Sequence, residues 1–186
     1  MRSRGNLRGA TLTRGRRKSC PEAELGRGVY LKPLNQVGNR GRPRKLSKPT
    51  RPPTTLAMAR INIARGAAEA RVLGEPPLSR ILQTANESVN YASCAVGLAS
   101  VAFGRIDGLV LPRQRYWDFA AGALIIKELG GEFGIWRDNW RSQVEESELA
   151  SATAESYYDI AAAVEPALFQ EIKQYVQQSP AEPRSS

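Results

Sequence analysis

The sequence predicts an α/β layered domain preceded by a basic arm. Short β-prone runs alternate with helical patterns from about residue 54 onward, which is the order that builds a sheet with helices on its faces. Two of the helical patterns, near 93–104 and 117–131, carry recognisable ends. Charge is divided just as sharply. Residues 1–51 hold 15 Lys and Arg against 2 Asp and Glu, whereas the remainder carries a net of −4. The overall +9 of the 186 residues therefore belongs to the N-terminal quarter, and the part expected to fold is mildly acidic. This length suits one domain, or one and a fraction.

The arm is assigned to residues 1–53. Residues 1–19 are Arg, Gly, Ser and Thr with scattered Leu, too little apolar surface to offset the entropy of ordering, and they are expected to be disordered. Residues 22–34 differ, because Gly26 and Gly28 precede the β-prone Val29-Tyr30-Leu31 and predict a tight turn into a strand. Residues 35–53 return to Gly, Arg, Lys and Pro and read as a linker.

The folded part is assigned to 54–178 and a disordered tail to 179–186. Residues 56–64 start as an apolar run, helical at first, and then alternate like a strand at 60–64. Pro76 and Pro77 suit the first turn of a short helix through Leu82. Residues 88–91 form a short strand. Ser93 caps a helix in which Ala95, Leu98, Ala99 and Ala102 recur at helical spacing, with Gly104 closing it. Gly97 inside that helix costs about 1 kcal/mol relative to Ala, and small residues there allow a close neighbour. Residues 106–111 read as a strand stopped by Pro112. The next helix is apolar on most of its surface, with Asp118 at the N-cap position and Gly130 and Gly131 as its left-handed exit. Strands at 132–136 and 157–162 flank a polar, irregular stretch, and a helix over 165–177 closes the fold with Leu168, Ile172, Tyr175 and Val176 on one face.

Composition removes several chemistries. There is no histidine, so Ser-His-Asp and Cys-His nucleophiles and His-ligated metals are excluded. Carboxylates, backbone N–H groups and hard cations remain. Cys20 and Cys94 lack zinc-site spacing and read as reduced thiols. No apolar run approaches the ~20 residues that span a bilayer. The first residues have no apolar core of a secretory signal, and a cytoplasmic protein with no membrane partner is expected.

On spacing alone, Asp118 reads as a helix cap, with metal ligation as the alternative. Its surroundings add to this. Ser93-Cys94-Ala95 opening a helix, Gly104-Arg105-Ile106-Asp107-Gly108, Trp117-Asp118-Phe119-Ala120-Ala121-Gly122 and Glu128-Leu129-Gly130-Gly131 stand in an order and spacing that resemble the C-terminal half of the inositol monophosphatase family. The strand at 159–162 followed by a closing helix is similar as well. The resemblance covers about residues 87–178, and more weakly 22–34 and 56–64. It implies an α+β sandwich of the inositol monophosphatase type, here truncated to roughly its C-terminal half.

The family's members are Mg²⁺-dependent phosphomonoesterases, whose cations activate water and neutralise charge on the phosphoryl and leaving oxygens. The resemblance therefore implies Mg²⁺ as cofactor, Asp118 as a metal ligand, and Ala92-Ser93-Cys94 as the substrate-binding turn, where relatives have Gly-Ser/Thr-Ala. Glu128 and Asp107 are assigned structural roles, and no residue is assigned to catalysis itself. The family's N-terminal Glu pair and its Asp-Pro-x-Asp-Gly-Thr-like run do not occur. Leu111 stands near the place of a Glu that meets inositol hydroxyls, and Val89 replaces an Arg.

The expected function is thus hydrolysis of a small phosphate monoester, inositol phosphate or similar, by a truncated and inactive member. A homodimer is expected, and nucleic acid is not an expected partner. The alternative is a non-catalytic binding protein whose basic arm contacts nucleic acid or another polyanion through salt-dependent charge attraction.

Overall fold

A six-stranded mixed sheet organises the core of the computed structural model, which describes residues 9–11, 19–33, 42–50, 55–63 and 76–177. The strands are β1 (Gly9–Thr11), β2 (Ser19–Glu24), β3 (Gly28–Pro33), β4 (Arg44–Leu46), β5 (Arg60–Ile63), β6 (Glu87–Val89), β7 (Gly108–Gln114), β8 (Glu132–Arg137), β9 (Ser142–Gln143) and β10 (Tyr158–Ala163). The helices are α1 (Pro76–Thr84), α2 (Cys94–Ala102), α3 (Tyr116–Glu128) and α4 (Pro166–Gln177). The six strands run in the order β6-β5-β7-β10-β8-β9, and a second, antiparallel sheet runs β1-β2-β3-β4. In the larger sheet β5 is parallel to β6 and β7, and the remaining pairs are antiparallel.

Alternation along each strand separates two apolar faces. On β7 and β10, Leu109, Leu111, Ile160 and Ala162 join the cluster that packs on α2 and α3. Val110, Ala161 and Ala163 point the other way, onto Leu78, Ile81, Leu168 and Ile172 of α1 and α4. Helix α3 also touches β1, β2 and β3 on its far side. It is therefore covered by a sheet on either side, which accounts for its nearly all-round apolar surface. The layers run α1/α4, large sheet, α2/α3, small sheet.

The exit of α3 follows the sequence reading. Gly130 has φ +75°, its N–H donates to Lys127 O at 2.8 Å, and Gly131 N–H donates to Ile126 O at 3.0 Å. That pair of bonds is a Schellman termination. The glycine turn between β2 and β3 is also present, with φ +75° at Gly26 and +82° at Gly28.

The structure corrects three readings. Residues 19–33 and 44–46 form paired strands rather than a largely disordered arm with one strand at 22–34. The sequence signal there is weak because the sheet is held from a distance. Among its described side chains Ala23 and Val29 are buried and apolar, and the Glu128 carboxylate accepts from Gly26 N–H at 2.7 Å and Gly28 N–H at 2.8 Å. Gly9–Thr11, within the stretch expected to be disordered, pairs with β2 as well, while the arm's other residues apart from 42–50, and the tail at 179–186, lie outside the described residues.

The second correction concerns Pro112, which does not end its strand. β7 continues to Gln114, with a register shift opposite Asp159. Proline has no N–H to place in the ladder, so a bulge accommodates it. The third is that Asp118 is not the cap of α3. Arg115, with φ −84° and ψ 150°, occupies that position, so the cap lies three residues earlier than the sequence suggests.

Gly97 and Gly122 are where close approach is needed. A Cβ on Gly97 would stand 2.4 Å from Asn62 Nδ2, and one on Gly122 would stand 2.4 Å from Leu98 Cδ1 and 2.7 Å from Leu98 Cβ. Overpacking of this kind costs about 1–3 kcal/mol. Gly122→Ala is expected to lower unfolding stability by that amount, read as a reduced denaturant midpoint at unchanged slope.

Candidate functional site

The packing of α2 on α3 brings the sequence-predicted site residues together. Gly122 sits against Leu98. Four residues earlier on each helix, Asp118 lies close enough to Cys94 for its charge to act on the thiol. The two helices therefore run in the same direction, and both N-termini open at one end. Each N-terminus presents unpaired N–H groups and the positive end of a helix dipole.

At α2, Ser93 is the N-cap in an extended conformation, and its Oγ accepts from Val96 N–H at 3.4 Å. The N–H groups of Cys94 and Ala95 point out of the helix end, and the exposed Ser93 hydroxyl is free to donate. Ala92 precedes the cap at φ +51°. Its N–H donates to Asn90 Oδ1 at 2.8 Å, an Asx turn that holds the left-handed step. Behind the turn, buried Asn62 accepts from Tyr91 N–H at 3.3 Å and occupies the space where a side chain on Gly97 would stand.

At α3, Asp118 stands in the first turn and is exposed. Its N–H donates to Arg115 O at 3.0 Å, and its carboxylate accepts no hydrogen bond from the described residues. Capping is thus not its role. An anionic side chain at this position is stabilised by the helix dipole and remains available to a ligand.

Cys94 is buried, and its thiol is pushed up to about 12, first by burial and second by the Asp118 charge. It packs against the core and is not a nucleophile at neutral pH. Leu111 is 3% exposed, within the core. Asp107 accepts from Arg60 N–H at 2.8 Å, so it ties β5 to the start of β7. Glu128 pins the glycine turn, as described above. An apolar cavity of about 100 Å³ lies along α3, lined by Leu25, Tyr116, Phe119, Ala123 and Leu149. It includes neither Ser93 nor Asp118.

The sequence reading overlooked Asp159 and the two arginines near it. Asp159 is 4% exposed. Its Oδ1 accepts from Arg113 N–H and its Oδ2 from Trp140 N–H, each at 3.0 Å. Burial raises its pKa, and these two bonds pull in the opposite direction. The carboxylate thereby holds the β7 bulge, where Arg113 has φ +54°, and draws Trp140 into the core. The overlooked signal was Pro112 next to Arg113, within a run otherwise apolar enough for a central strand.

As to metal, the described residues bring together no group of three Asp, Glu, His or Cys side chains that could hold an ion. Asp118 offers one carboxylate. Mg²⁺ commonly takes one or two carboxylates with phosphate and water, so this residue set suits a single shared ligand and does not fit a two-metal centre. Among the described residues no helix is long and apolar enough to cross a membrane.

A family model described as the inositol monophosphatase family matches residues 26–172. An inositol-1-monophosphatase of Bacillus subtilis (strain 168) is 35% identical over 70 residues, which are 38% of this chain and 26% of that protein. The Nus factor SuhB of Escherichia coli (strain K12) is 54% identical over 49 residues, 25% of this chain and 18% of that protein. Among solved structures, inositol monophosphatase II from Staphylococcus aureus MSSA476 matches with a TM-score of 0.61 at 19% identity, covering 86% of this chain and 51% of that one. Mycobacterium tuberculosis SuhB matches with a TM-score of 0.59 at 21% identity, covering 86% and 54%. These structural likenesses show a shared fold, and this chain spans about half the length of the solved structures it matches.

Two outcomes test the local geometry. Ala92→Gly is expected to stabilise the protein by about 1 kcal/mol, since a non-glycine residue in the left-handed region costs ~1–2 kcal/mol and glycine gives back part of that through unfolded-chain entropy. Differential scanning calorimetry would register it as a higher Tm. In a Cys20→Ala background at pH 8, Cys94 is expected to resist iodoacetamide until denaturant is added. The folded thiol titrates near 12 and the unfolded one near 9.0, so its contribution to stability is complete below 9 and is lost as pH rises toward 12. Fast labelling of the folded protein would contradict this.

Proposed function

The chain belongs to the inositol monophosphatase family, and from that premise we propose that it forms the phosphate-binding wall of a Mg²⁺-dependent phosphomonoesterase. The substrate is a small phosphate monoester, inositol phosphate or similar. The observation that carries the reading is the convergence of two helix N-termini, one bearing Ala92-Ser93-Cys94 and the other Asp118. A phosphate at this end would accept from the Cys94 and Ala95 N–H groups and from the Ser93 hydroxyl, in the favourable field of both dipoles. Asp118 would hold a cation beside the same anion. When bound, Mg²⁺ supplies charge neutralisation at the phosphoryl oxygens.

The described residues do not fit a two-metal centre. We infer that the chain by itself binds the phosphate group and does not turn it over. The absence of histidine among its 186 residues removes the commonest protein base. Leu111, buried and apolar, offers no acceptor to a sugar hydroxyl, which weakens discrimination in favour of inositol.

The test is an assay of the purified chain with inositol 1-phosphate, with and without Mg²⁺, beside a measurement of inorganic phosphate binding. No phosphate release above background is expected. Phosphate binding is expected, weakened roughly fivefold by Ser93→Ala, the scale of one lost neutral hydrogen bond. Mg²⁺-dependent turnover abolished by Asp118→Asn would overturn the inference of inactivity. Absence of any phosphate binding would overturn the reading as a whole.

A further inference from the structure

The core is incomplete on one flank of α3. Ala120 and Ala123 present only methyl groups there, and Phe119, Leu124, Ile135 and Leu149 stand around them without closing the space. The result is the cavity of about 100 Å³. Protein interiors hold few voids larger than a water molecule, because every unmatched wall loses its dispersion contacts. Leu25, in the turn between β2 and β3, stands at the rim and is 70% exposed. Its side chain is therefore loosely held, although Glu128 ties the backbone of the turn. Lys127 and Glu146 belong to the same rim and are joined to each other in an ion pair.

The lining favours an apolar occupant over water. A buried water needs about two to four polar partners, and the walls named above offer none. The polar groups stand at the rim, where Lys127 and Glu146 already engage one another. Tyr116 remains. It is half-buried, lines the cavity, and lies close enough to Glu146 for that charge to act on its hydroxyl. Burial first, and the Glu146 charge second, push its pKa up, so the hydroxyl is protonated at neutral pH and is a donor. The Tyr116 ring also meets Phe119 edge to face at 5.7 Å between centroids, and Phe119 stacks on Phe133 at the same separation. An aromatic guest would extend that array in the arrangement that rings prefer.

We propose that this cavity binds a small monocyclic aromatic compound of the phenol class, with the ring among the apolar walls and the oxygen at the rim, accepting from the Tyr116 hydroxyl. An apolar pocket with a few polar groups converging on one side is the usual form of a small-molecule site. Its size limits the guest to one ring. An engineered apolar cavity of about 150 Å³ takes up benzene; here the enclosed space is smaller, and the difference is made up at the open rim beside Leu25. The site includes neither Ser93 nor Asp118, so the proposal stands apart from the phosphate-binding reading.

The test titrates the full chain, methyl-labelled at leucine, with phenol, toluene and indole, and follows the Leu25, Leu124 and Leu149 signals by NMR. Phenol and toluene are expected to shift these signals saturably, and indole, with two fused rings, is expected not to. Tyr116→Phe is expected to weaken phenol about fivefold, the scale of one neutral hydrogen bond, and to leave toluene unchanged. Ala123→Leu is expected to weaken both about tenfold or more, because three added carbons take the place of the guest. Leu149→Ala enlarges the cavity without overpacking it and is expected to admit indole.

Absence of saturable shifts with both phenol and toluene would overturn the proposal. So would affinities that Ala123→Leu leaves unchanged. Should Ala123→Leu fail to fold, Leu149→Ala decides alone, and continued exclusion of indole would count against the cavity as the binding site. Equal loss of phenol and toluene binding in Tyr116→Phe would remove the hydroxyl from the recognition and overturn the assignment to phenols. The same leucine shifts appearing on raising the protein concentration without any guest would reassign the cavity to contact between copies of the chain.

Discussion

The contact of Gly122 with Leu98 fixes most of what can happen at the functional end of this molecule. Without a side chain at 122, α3 settles directly on α2. That depth sets the axial register, and the register brings Cys94 and Asp118 to the same level. Two unpaired helix ends and one free carboxylate then share a small volume. A larger residue at 122 would part the helices, and the two dipoles would no longer act on one ligand. The core around this contact is dense, with Leu98, Phe119, Leu124, Ile125 and Ile126 all buried, so the register has little freedom to relax.

The two ends of α3 have different electrostatic roles. Asp118 lies in the first turn and Lys127 in the last, each on the side that the helix dipole favours. Glu128 lies on the unfavourable side, which costs about 0.3–1 kcal/mol. Two glycine N–H groups at 2.7 and 2.8 Å offset that cost, because hydrogen bonds to a charged group contribute about 1.5–3 kcal/mol each. Its carboxylate therefore serves as the tie between α3 and the small sheet. Lys127 is kept beside it by an ion pair with Glu146. One helix thus presents a free acid at its start and a fully engaged acid at its end, and the difference is set by what packs opposite.

Much of this was legible in the sequence where local chemistry decides structure. The Gly130 exit, the Ser93 cap, the glycine turn at 26–28 and the alternation of strands and helices each follow from residues within a few positions of one another. The motif order around Trp117-Asp118 identified the family that the matched model supports over residues 26–172. What could not be read depends on distant partners. The small sheet is tied by a carboxylate 100 and 102 residues away. The start of α3 was misplaced because an Asp before an apolar run looks like a cap, while the extended residue that caps it is Arg115, whose type carries no capping signal. Likewise, nothing in the run around Pro112 announces that Asp159 will reach across to hold a bulge.

Of the non-glycine residues in the left-handed region, Asp138, Asn139 and Trp140 form the turn after β8, whereas Ala92 and Arg113 precede the two helices of the candidate site. Ala92 and Arg113, at φ +51° and +54°, each cost more than a glycine would. Both are held by an Asn or Asp side chain that accepts the residue's own N–H, Asn90 for Ala92 and Asp159 for Arg113. Such strain persists only where the surroundings over-determine it. At Ala92 the side chain is a methyl group, so the turn itself is what the chain retains, and its product is the exposed N-terminus of α2. At Arg113 a glycine would relieve the backbone but remove a guanidinium. The strained position carries the Arg113 guanidinium to the face of the Tyr157 ring, which Arg115 shares, with the Asp159 carboxylate as a charge of opposite sign nearby. Backbone strain is therefore sustained just before α3, where Asp159 fixes the bulge and Arg115 begins the helix.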